Sequence, residues 1–311
     1  MSEIQSFSEP SEFAAAIRGA SVDVTVVTPG QFDAEITSVD LGTVRIQRLS
    51  DNLPLVWHAK HTGGRVSFAF HTEPGQSLIR DGIEVTSDSL VRLGRPQSHF
   101  QRFAAPVHWG SISLRLTDIP SANEAVAGFD LTPPGNDQII TPPPGAMTNL
   151  QRLHAAAGLL AKQAPELLKN SEVARGMEQS LTHALVACLQ SKIAREQTPT
   201  QHRHQMIMQR FNAIIQANAE VPLYMIEVAL AAGVSLRSLT LCCQEHLGMS
   251  PKKYLRLRRM HLARTALVGA DPHVTTVTDI ATRYGFWQLG RFSVDYKSIF
   301  GQSPSVTLHK K

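Results

Sequence analysis

The sequence predicts an α+β protein of two domains, and three patterns in it support this fold class. In the first 116 residues, short segments alternate apolar and polar side chains between turn signals, which is typical of antiparallel β-structure. From Leu150 onward, apolar residues recur every three or four positions, as on one face of a helix. Near the end of the chain, one helical unit occurs twice. The length of 311 residues, 42% of them hydrophobic, is enough for two separate cores.

The N-terminal region is predicted to form an antiparallel β-barrel. A short amphipathic helix over Pro10 to Arg18 precedes most of it. The alternating segments that follow are Val22 to Val27, Phe32 to Val39, Val44 to Leu49, Val66 to His71, Leu90 to Leu93 and Ser111 to Leu116. Glycine-containing turn signals separate them, at Pro29-Gly30, Gly63-Gly64, Pro74-Gly75 and Asp81-Gly82.

A proline-rich segment marks the end of this region. The stretch from Leu131 to Gly145, LTPPGNDQIITPPPG, contains too much proline for a helix or a central strand. We therefore expect an extended connection here and place the first domain at residues 1–145.

A helical region is predicted over residues 146–193. Within it, one set of apolar residues recurs at a strict spacing of four: Val173, Met177, Leu181, Leu185 and Leu189. Such a stripe either covers the domain's own core or forms a subunit interface. We predict that it joins two copies of the chain into a homodimer. The polar segment 194–204, which contains Pro199, is predicted to be a linker to a domain at residues 205–311.

The repeated unit is a pair of helices joined by a glycine turn. In the first copy the turn is Gly233-Val234-Ser235, and a helix follows from Leu236 to His246. In the second copy the turn is Gly285-Phe286, 52 residues after the first glycine. Glycine suits such turns because it enters positive φ at little cost. A short turn sets the two helices at a steep angle, which lets one of them enter a major groove of DNA.

The basic residues concentrate in the same part of the chain. From Met206 onward there are 13 Lys and Arg against 6 Asp and Glu, a net charge of +7, whereas residues 1–205 carry −3. Double-stranded DNA is the partner that this charge distribution predicts.

The C-terminal sequence resembles the DNA-binding domain of the AraC/XylS family of bacterial transcription regulators. The resemblance rests on LAAGVSLRSLTLCCQEHLGMSPKKYLRLRRMHLARTAL and VTDIATRYGFWQLGRFSVDYKSIFGQSPS, and it extends from about Gln205 to Ser305. Cys243 departs from the family, which usually has Phe at this position of the first recognition helix. The resemblance implies a regulator of promoter DNA, most simply an activator that works with RNA polymerase. It also implies a cupin-like N-terminal barrel that senses a small molecule.

Four residues of the first recognition helix are predicted to contact bases. At 100° per residue, Arg237, Thr240, Leu241 and Gln244 lie opposite the buried side that holds Leu239. Arg binds guanine and Gln binds adenine with two hydrogen bonds each, and Thr or Leu packs on the thymine methyl group. These positions match those at which the family contacts bases.

The remaining predicted contacts lie on the second recognition helix and on the basic helix between the two units. Leu289, Phe292 and Tyr296 are expected to be buried, which leaves Arg291 as the base-reading side chain of the second helix. The predicted phosphate contacts are Ser238, Lys252, Lys253, Arg256 and Lys297. Arg258, Arg259 and Arg264 add further cations to the connecting helix.

The sequence does not identify the effector of the predicted barrel, but it offers candidate residues for the effector site. Trp57 and Trp109 are either core residues or surfaces on which a ligand stacks. Two pairs of arginines, Arg45 with Arg48 and Arg92 with Arg95, are candidates for binding an anion such as a nucleotide messenger. A solvated strand face would also explain these pairs, and a ligand-free regulator controlled by its abundance is the alternative.

Enzymatic chemistry is not predicted. A metal-dependent cupin-type enzyme fused to a DNA-binding domain is the alternative, because histidines are frequent in the barrel region. However, no His-x-His with a nearby Glu occurs, and His58 and His61 would lie on opposite faces of a strand. We predict no cofactor, no metal and no catalytic residue. The three cysteines are expected to be reduced, and the lack of a signal peptide or a long apolar run predicts a cytoplasmic protein without membrane contact.

Overall fold

A computed structural model describes residues 2–95, 97–115, 131–190, 194–195, 198–220 and 222–309. The strands within these residues are β1 (Ser2–Phe7), β2 (Ala20–Val26), β3 (Ala34–Asp40), β4 (Val44–Asp51), β5 (Leu55–His61), β6 (Arg65–His71), β7 (Ser77–Arg80), β8 (Ile83–Thr86), β9 (Leu90–Arg92), β10 (Ser98–Phe103), β11 (His108–Arg115), β12 (Gln138–Ile140) and β13 (Ala194–Arg195). The predicted strand end at Leu116 lies outside the described residues.

The helices lie mainly in the second half of the chain. They are α1 (Pro10–Ala16), α2 (Ala146–Gln163), α3 (Ser171–Leu189), α4 (Pro199–Ala217), α5 (Met225–Ala231), α6 (Leu236–Leu247), α7 (Pro251–Gly269), α8 (Val277–Arg283), α9 (Leu289–Phe300) and α10 (Pro304–Leu308), with a short 3₁₀ helix over Pro165–Lys169. The predicted order of a β-rich part followed by an α-helical part is confirmed.

The strands form two open antiparallel sheets rather than a closed barrel. The larger sheet has the order β1-β3-β4-β11-β6-β9-β12-β13, and the smaller has the order β2-β5-β10-β7-β8. A barrel requires every strand to be hydrogen-bonded on both sides, but each of these sheets has two end strands among the described residues. The predicted closed barrel is therefore wrong. Alternating patterns could not exclude it, because sandwiches and barrels both bury alternate residues.

The molecule is layered, with helices on the outer face of each sheet. Side chains of Val44 and Ile46 on β4 point toward α2 and α3 and join their core, which includes Leu150. The outer face of the smaller sheet packs on the C-terminal helices, since Val56 and Phe100 belong to the same core as Phe211. The C-terminal domain therefore completes the hydrophobic covering of the smaller sheet.

The apolar stripe of α3 is part of the protomer's own core. Leu181 and Leu185 are fully buried against the larger sheet and α2, and Met177 and Leu189 pack at the edge of the same cluster. Val173 alone of the five is exposed. The prediction that these residues form the dimer interface is thus wrong for the buried members, because a helical stripe of this spacing also fits a sheet.

The predicted linker is partly helical. Helix α4 begins at Pro199, where Thr198 and Gln201 form a capping box: the Thr198 Oγ1 accepts from the Gln201 amide at 3.2 Å. Proline suits this first position because its missing N–H would have no partner there. Residues 191–193 and 196–197 of the predicted helical region and linker lie outside the described residues.

The C-terminal domain contains two pairs of helices joined by α7. The chain bends by 88° between α5 and α6, at a turn where Gly233 has a φ of 74°. The second pair, α8 and α9, turns at Gly285 with a φ of 75°. Both glycines therefore adopt the left-handed conformation that the sequence predicted.

Candidate DNA-binding surface and inter-sheet cavity

The exposed face of α6 carries the four residues predicted to contact bases. Arg237, Thr240, Leu241 and Gln244 are all exposed, whereas Leu239 and Cys243 on the opposite side are fully buried. Leu236, the first residue of the helix, is also exposed. Helix α6 begins after Ser235, whose hydroxyl accepts from the Ser238 amide at 3.1 Å. The helix thus presents a polar face and a capped N-terminus.

The corresponding face of α9 is sparser in polar groups. Phe292 and Tyr296 are buried as predicted, but Leu289 is 37% exposed, so the buried stripe begins at Phe292. Arg291 is exposed, with its Nε 3.8 Å from the Asp295 carboxylate, and Lys297 is also exposed. Arg256 of α7 pairs with the same carboxylate. Two cations predicted to contact DNA therefore share one acidic side chain.

The cations of α7 divide between two faces of the helix. Lys252, Lys253 and Arg256 are exposed, as phosphate contacts require. Arg258 and Arg264 are buried and point toward the N-terminal domain. These two arginines are therefore not available to DNA, although the sequence places them in the same basic run.

Polar contacts join the two domains along α4 and α7. Arg264 pairs with Glu9 of the N-terminal region through two contacts of 2.7 Å. The Gln205 side-chain amide donates to Asp81 at 2.8 Å, and that of Gln216 donates to Asp23 at 2.5 Å. These contacts could not be predicted from the sequence, because every one joins residues more than 100 positions apart.

A cavity of about 110 Å³ lies between the two sheets. Its apolar lining includes Trp57, Trp109, Leu49 and Leu93. Four arginines also line it, and none of the described lining residues is acidic: Arg18, Arg45, Arg65 and Arg80. Three of the four arginines are paired with carboxylates outside the lining: Arg18 with Glu3, Arg45 with Asp40 and Arg80 with Asp137. The cavity therefore combines aromatic surfaces with guanidinium groups that an anionic occupant could contact.

The four arginines predicted for an effector site do not lie together. Arg45 lines the cavity, but Arg48 lies on the other face of β4, where its Nη1 is 3.0 Å from Nδ1 of His154 in α2. Residues three apart on a strand point to opposite faces, which the prediction overlooked. Arg92 donates to the Thr132 carbonyl at 2.7 Å, and Arg95 is exposed near the same connection.

Both predicted tryptophans belong to the core and to the cavity at once. Trp57 packs edge-on against Phe103, with ring centroids 4.9 Å apart, and Trp109 packs similarly against His71 at 5.1 Å. The Trp57 Nε1 is buried without a hydrogen-bond partner in the described part of the chain. One indole therefore retains an unused hydrogen-bond donor.

Two histidines that line the cavity, His61 and His99, belong to a cluster of potential metal ligands that contacts an arginine. Ligand atoms of His61, His99 and Asp137 lie within 4.8 Å of one another. The Arg80 guanidinium contacts the Asp137 carboxylate, lies 3.3 Å from His61 Nε2 and donates to Gln101 Oε1 at 2.7 Å. The positive group in contact with this cluster is thus the Arg80 guanidinium.

Burial keeps the histidines of this region neutral. Desolvation lowers the pKa of His61 to about 4 and holds the pKa of His99 well below its usual range, and the nearby charge of Arg80 acts in the same direction. His58 faces the C-terminal domain on the opposite side of β5, as its spacing from His61 requires. At neutral pH, the arginines therefore supply the positive charge of the cavity.

Among the described residues, no single helix has the length and apolarity to cross a membrane. The bent pair of α5 and α6 meets that criterion only when the two helices are taken together.

Comparisons with known proteins identify the C-terminal domain. A family model described as a helix-turn-helix domain matches residues 228–310. The probable thc operon regulatory protein of Rhodococcus erythropolis is 46% identical over 94 residues, which are 30% of this chain and 28% of that protein. The XylDLEGF operon transcriptional activator 3 of Pseudomonas putida is 31% identical over 166 residues, 52% of this chain and 49% of that protein.

A solved structure matches about a third of the chain. The probable AraC family transcriptional regulator from Rhodopseudomonas palustris is 33% identical, covering 33% of this chain and 95% of that one, with a TM-score of 0.31. The chain spans about half the length, or less, of the curated relatives described above. Residues 228–310 therefore form a helix-turn-helix domain of the kind found in AraC/XylS-type transcription regulators.

Proposed function

We propose that the protein is a sequence-specific DNA-binding regulator of transcription that responds to a small anionic effector. The observation that carries this proposal is the exposed face of α6, on which Arg237 and Gln244 stand opposite a fully buried side. Such a face offers hydrogen-bonding groups to base edges while the helix remains rigid. The Pseudomonas putida relatives are named as activators, which supports activation in this chain.

In this proposal the two pairs of helices are two helix-turn-helix units. Helix α6 reads bases through Arg237, Thr240, Leu241 and Gln244, and α9 does so through Arg291 alone. The phosphate contacts are Ser238, Lys252, Lys253, Arg256 and Lys297. Helix α7 holds the two reading helices about one DNA turn apart, the spacing needed to enter successive major grooves.

The effector site of this proposal is the inter-sheet cavity. Its four guanidinium groups support an anion that competes with their present carboxylate partners, and Trp57 and Trp109 supply surfaces for the apolar part of a ligand. Of the arginines predicted for an effector site, only Arg45 takes part, together with Arg18, Arg65 and Arg80. As a regulator of transcription, the protein would act in the cytoplasm beside RNA polymerase.

A homodimer remains part of the proposal, with a different interface. Three exposed apolar side chains lie on the outer helical layer: Leu159 of α2, Leu167 and Val173. Sedimentation of Leu159→Glu and Leu167→Glu tests this surface. A wild-type protein that sediments as a monomer at every concentration would exclude the dimer.

The central test is selection of DNA by the full-length protein. A random duplex library passed over the protein at about 150 mM salt should yield an enriched sequence, bound at least about 10³-fold more tightly than a scrambled duplex. The full chain is required because Val56 and Phe100 of the smaller sheet complete the first core of the DNA-binding domain. Equal affinity for enriched and scrambled duplexes would refute sequence-specific binding.

A further inference from the structure

The geometry points to Arg80 as the residue that binds the anionic group of the effector, and to Asp81 as the residue that transmits this binding to the DNA-binding domain. The inference rests on the proposed function and deepens it. The ligand class is a small molecule with a carboxylate or phosphate group.

Arg80 presents its guanidinium to the cavity from the end of β7. The side chain is buried, and its Nη1 donates to Gln101, the residue directly opposite it on β10. Asp137 supplies the one carboxylate that Arg80 contacts among the described residues. A guanidinium has five N–H donors arranged to grip a planar anion. A carboxylate entering the cavity would therefore compete with Asp137 for the same group.

The dimensions of the cavity limit the ligand. A volume of about 110 Å³ is smaller than the engineered cavity of about 150 Å³ that accommodates benzene. Short carboxylates and inorganic phosphate are thus the appropriate probes.

Asp81, the next residue, points away from the cavity and toward the C-terminal domain. Its Oδ1 accepts from the Phe100 amide at 2.9 Å, and its Oδ2 accepts from the Gln205 side chain on α4 at 2.8 Å. His246 of α6 lies 4.0 Å from the same carboxylate. All these groups are buried. Asp81 thus contacts the helix that enters the DNA-binding domain and approaches the helix that reads DNA.

The backbone at this turn is constrained. Asp81 has a φ of 46°, and no other described non-glycine residue has a positive φ. The following Gly82 lies so close to α6 that an added Cβ would be 2.7 Å from Glu245 Oε1 and 3.1 Å from His246 Nε2. Strained backbone of this kind persists where its surroundings fix it. The turn is therefore pressed against α6 and cannot shift without moving its contacts.

Three consecutive residues, Arg80, Asp81 and Gly82, thus connect the cavity lining to α4 and α6. An anion that draws the Arg80 guanidinium from Asp137 moves the main chain of this turn. The hydrogen bond from Gln205 and the contact with α6 then change, and with them the position of the DNA-reading helix. Couplings of this type change affinity by about 5- to 150-fold.

The experiment measures effector binding and DNA binding separately. The probes are straight-chain carboxylates from acetate to hexanoate and inorganic phosphate, with butanamide as the uncharged counterpart of butyrate, all at constant ionic strength. Trp287→Phe leaves Trp57 and Trp109 as the only tryptophans of the chain, so their fluorescence reports on the cavity. The affinity for the selected duplex is measured by electrophoretic mobility with the wild-type protein.

In the wild-type protein, at least one carboxylate should bind saturably and change the dissociation constant of the DNA complex at least 5-fold. Butanamide should do neither. Arg80→Lys keeps the buried charge but loses the two-point grip, so carboxylate affinity should fall at least 10-fold. Equal affinity in Arg80→Lys, or equal binding of butanamide and butyrate, would overturn the assignment of Arg80. A lack of saturable binding by every probe would also overturn it.

Two matched variants test the role of Asp81. Gln205→Leu removes the donor to Asp81. Gln216→Leu removes the donor to Asp23 at the other end of α4, together with the acceptor of one Arg258 hydrogen bond. Gln205→Leu should bind the carboxylate within 2-fold of wild type, but its DNA response should fall below 2-fold. Gln216→Leu should keep the response. If both variants lose the response, or if neither does, transmission through Asp81 is refuted.

The results separate this inference from the proposed function. A carboxylate that binds without altering DNA affinity refutes the transmission and leaves the DNA-binding function standing. Failure to enrich any duplex refutes the proposed function itself, and carboxylate binding by Arg80 can still be measured by fluorescence.

Discussion

Arg264 of α7 and Glu9 of the N-terminal region form a two-point ion pair between residues 255 positions apart. Nε donates to Oε2 and Nη2 donates to Oε1, both at 2.7 Å, and the two side chains are only 10% and 13% exposed. The Phe300 ring lies 4.7 Å from the Arg264 guanidinium carbon. Arg264 belongs to the basic segment that predicts DNA binding, but it binds the N-terminal domain instead.

Glu9→Leu should destabilise the protein by about 3 kcal/mol, because it leaves the Arg264 charge buried without a counter-ion. The double variant Glu9→Leu with Arg264→Met should recover most of this loss. Thermal denaturation followed by circular dichroism measures both. A single variant within about 0.5 kcal/mol of wild type would mean that water replaces the carboxylate and that the pair contributes little.

Arg237→Ala should weaken binding to the selected duplex by about 1 to 3 kcal/mol and relax the base preference at one position. Lys252→Ala should instead weaken binding to all duplexes equally. The number of counter-ions released on binding, measured from the salt dependence of the affinity, should fall by about one. Mobility shifts at several salt concentrations, on selected and scrambled duplexes, distinguish the two. An equal loss on both duplexes for Arg237→Ala would make this residue a phosphate contact.

Leu181→Ala should lower the free energy of unfolding by about 3 kcal/mol, because it opens a cavity in a fully buried part of the core. Val173→Ala, at the exposed end of the same stripe, should change it by less than about 0.5 kcal/mol. Chemical denaturation gives these values, and sedimentation gives the mass. If Leu181→Ala left the stability unchanged but lowered the mass of the particle in solution, the stripe would be a subunit interface after all.

Asp51→Asn should stabilise the protein at pH 8. One oxygen of the Asp51 carboxylate accepts from two backbone amides at 3.3 and 3.4 Å, and the other is buried with no partner among the described residues. Burial raises the pKa of this carboxyl to about 7. The folded state thus binds this proton more tightly than the unfolded chain does, so wild-type stability falls as the pH rises from about 4 to about 7.

The neutral amide avoids this loss, and the gain at pH 8 should be about 2 to 4 kcal/mol. The gain should shrink toward pH 5, where the folded wild-type carboxyl is protonated. Urea denaturation of both proteins at the two pH values provides the check. An equal gain at both pH values would show that ionisation of Asp51 is not its cause.

The strands that the sequence predicts best have one clearly patterned face. β4 and β6 lie within two residues of the predicted segments, but β5 and β10 were missed. In β5, Leu55, Val56 and Trp57 are all buried, because one face lines the inter-sheet space and the other lies under the C-terminal domain. A strand covered on both faces loses the alternation on which the prediction depends.

The candidate DNA-binding surface and the inter-sheet cavity differ in how far the sequence predicts them. The exposed face of α6 is predictable because it depends on the periodicity of one helix. The positive lining of the cavity comes from separate elements, and Arg80 meets Gln101 only through the register of β7 and β10. No local pattern contains that register, so Arg18, Arg65 and Arg80 were not identified as site residues.

One face of α7 is exposed, and the other binds acidic residues of the N-terminal domain. The two domains are therefore complementary and cannot be exchanged freely for unrelated ones. A hybrid that joined this DNA-binding domain to an unrelated N-terminal domain would retain Arg258 and Arg264 but lose Asp23 and Glu9. Its helices α6 and α9 would be intact, and two arginines would lie at the new junction without their acidic partners. Such a hybrid would fail first in assembly and solubility, before its choice of operator could be assessed.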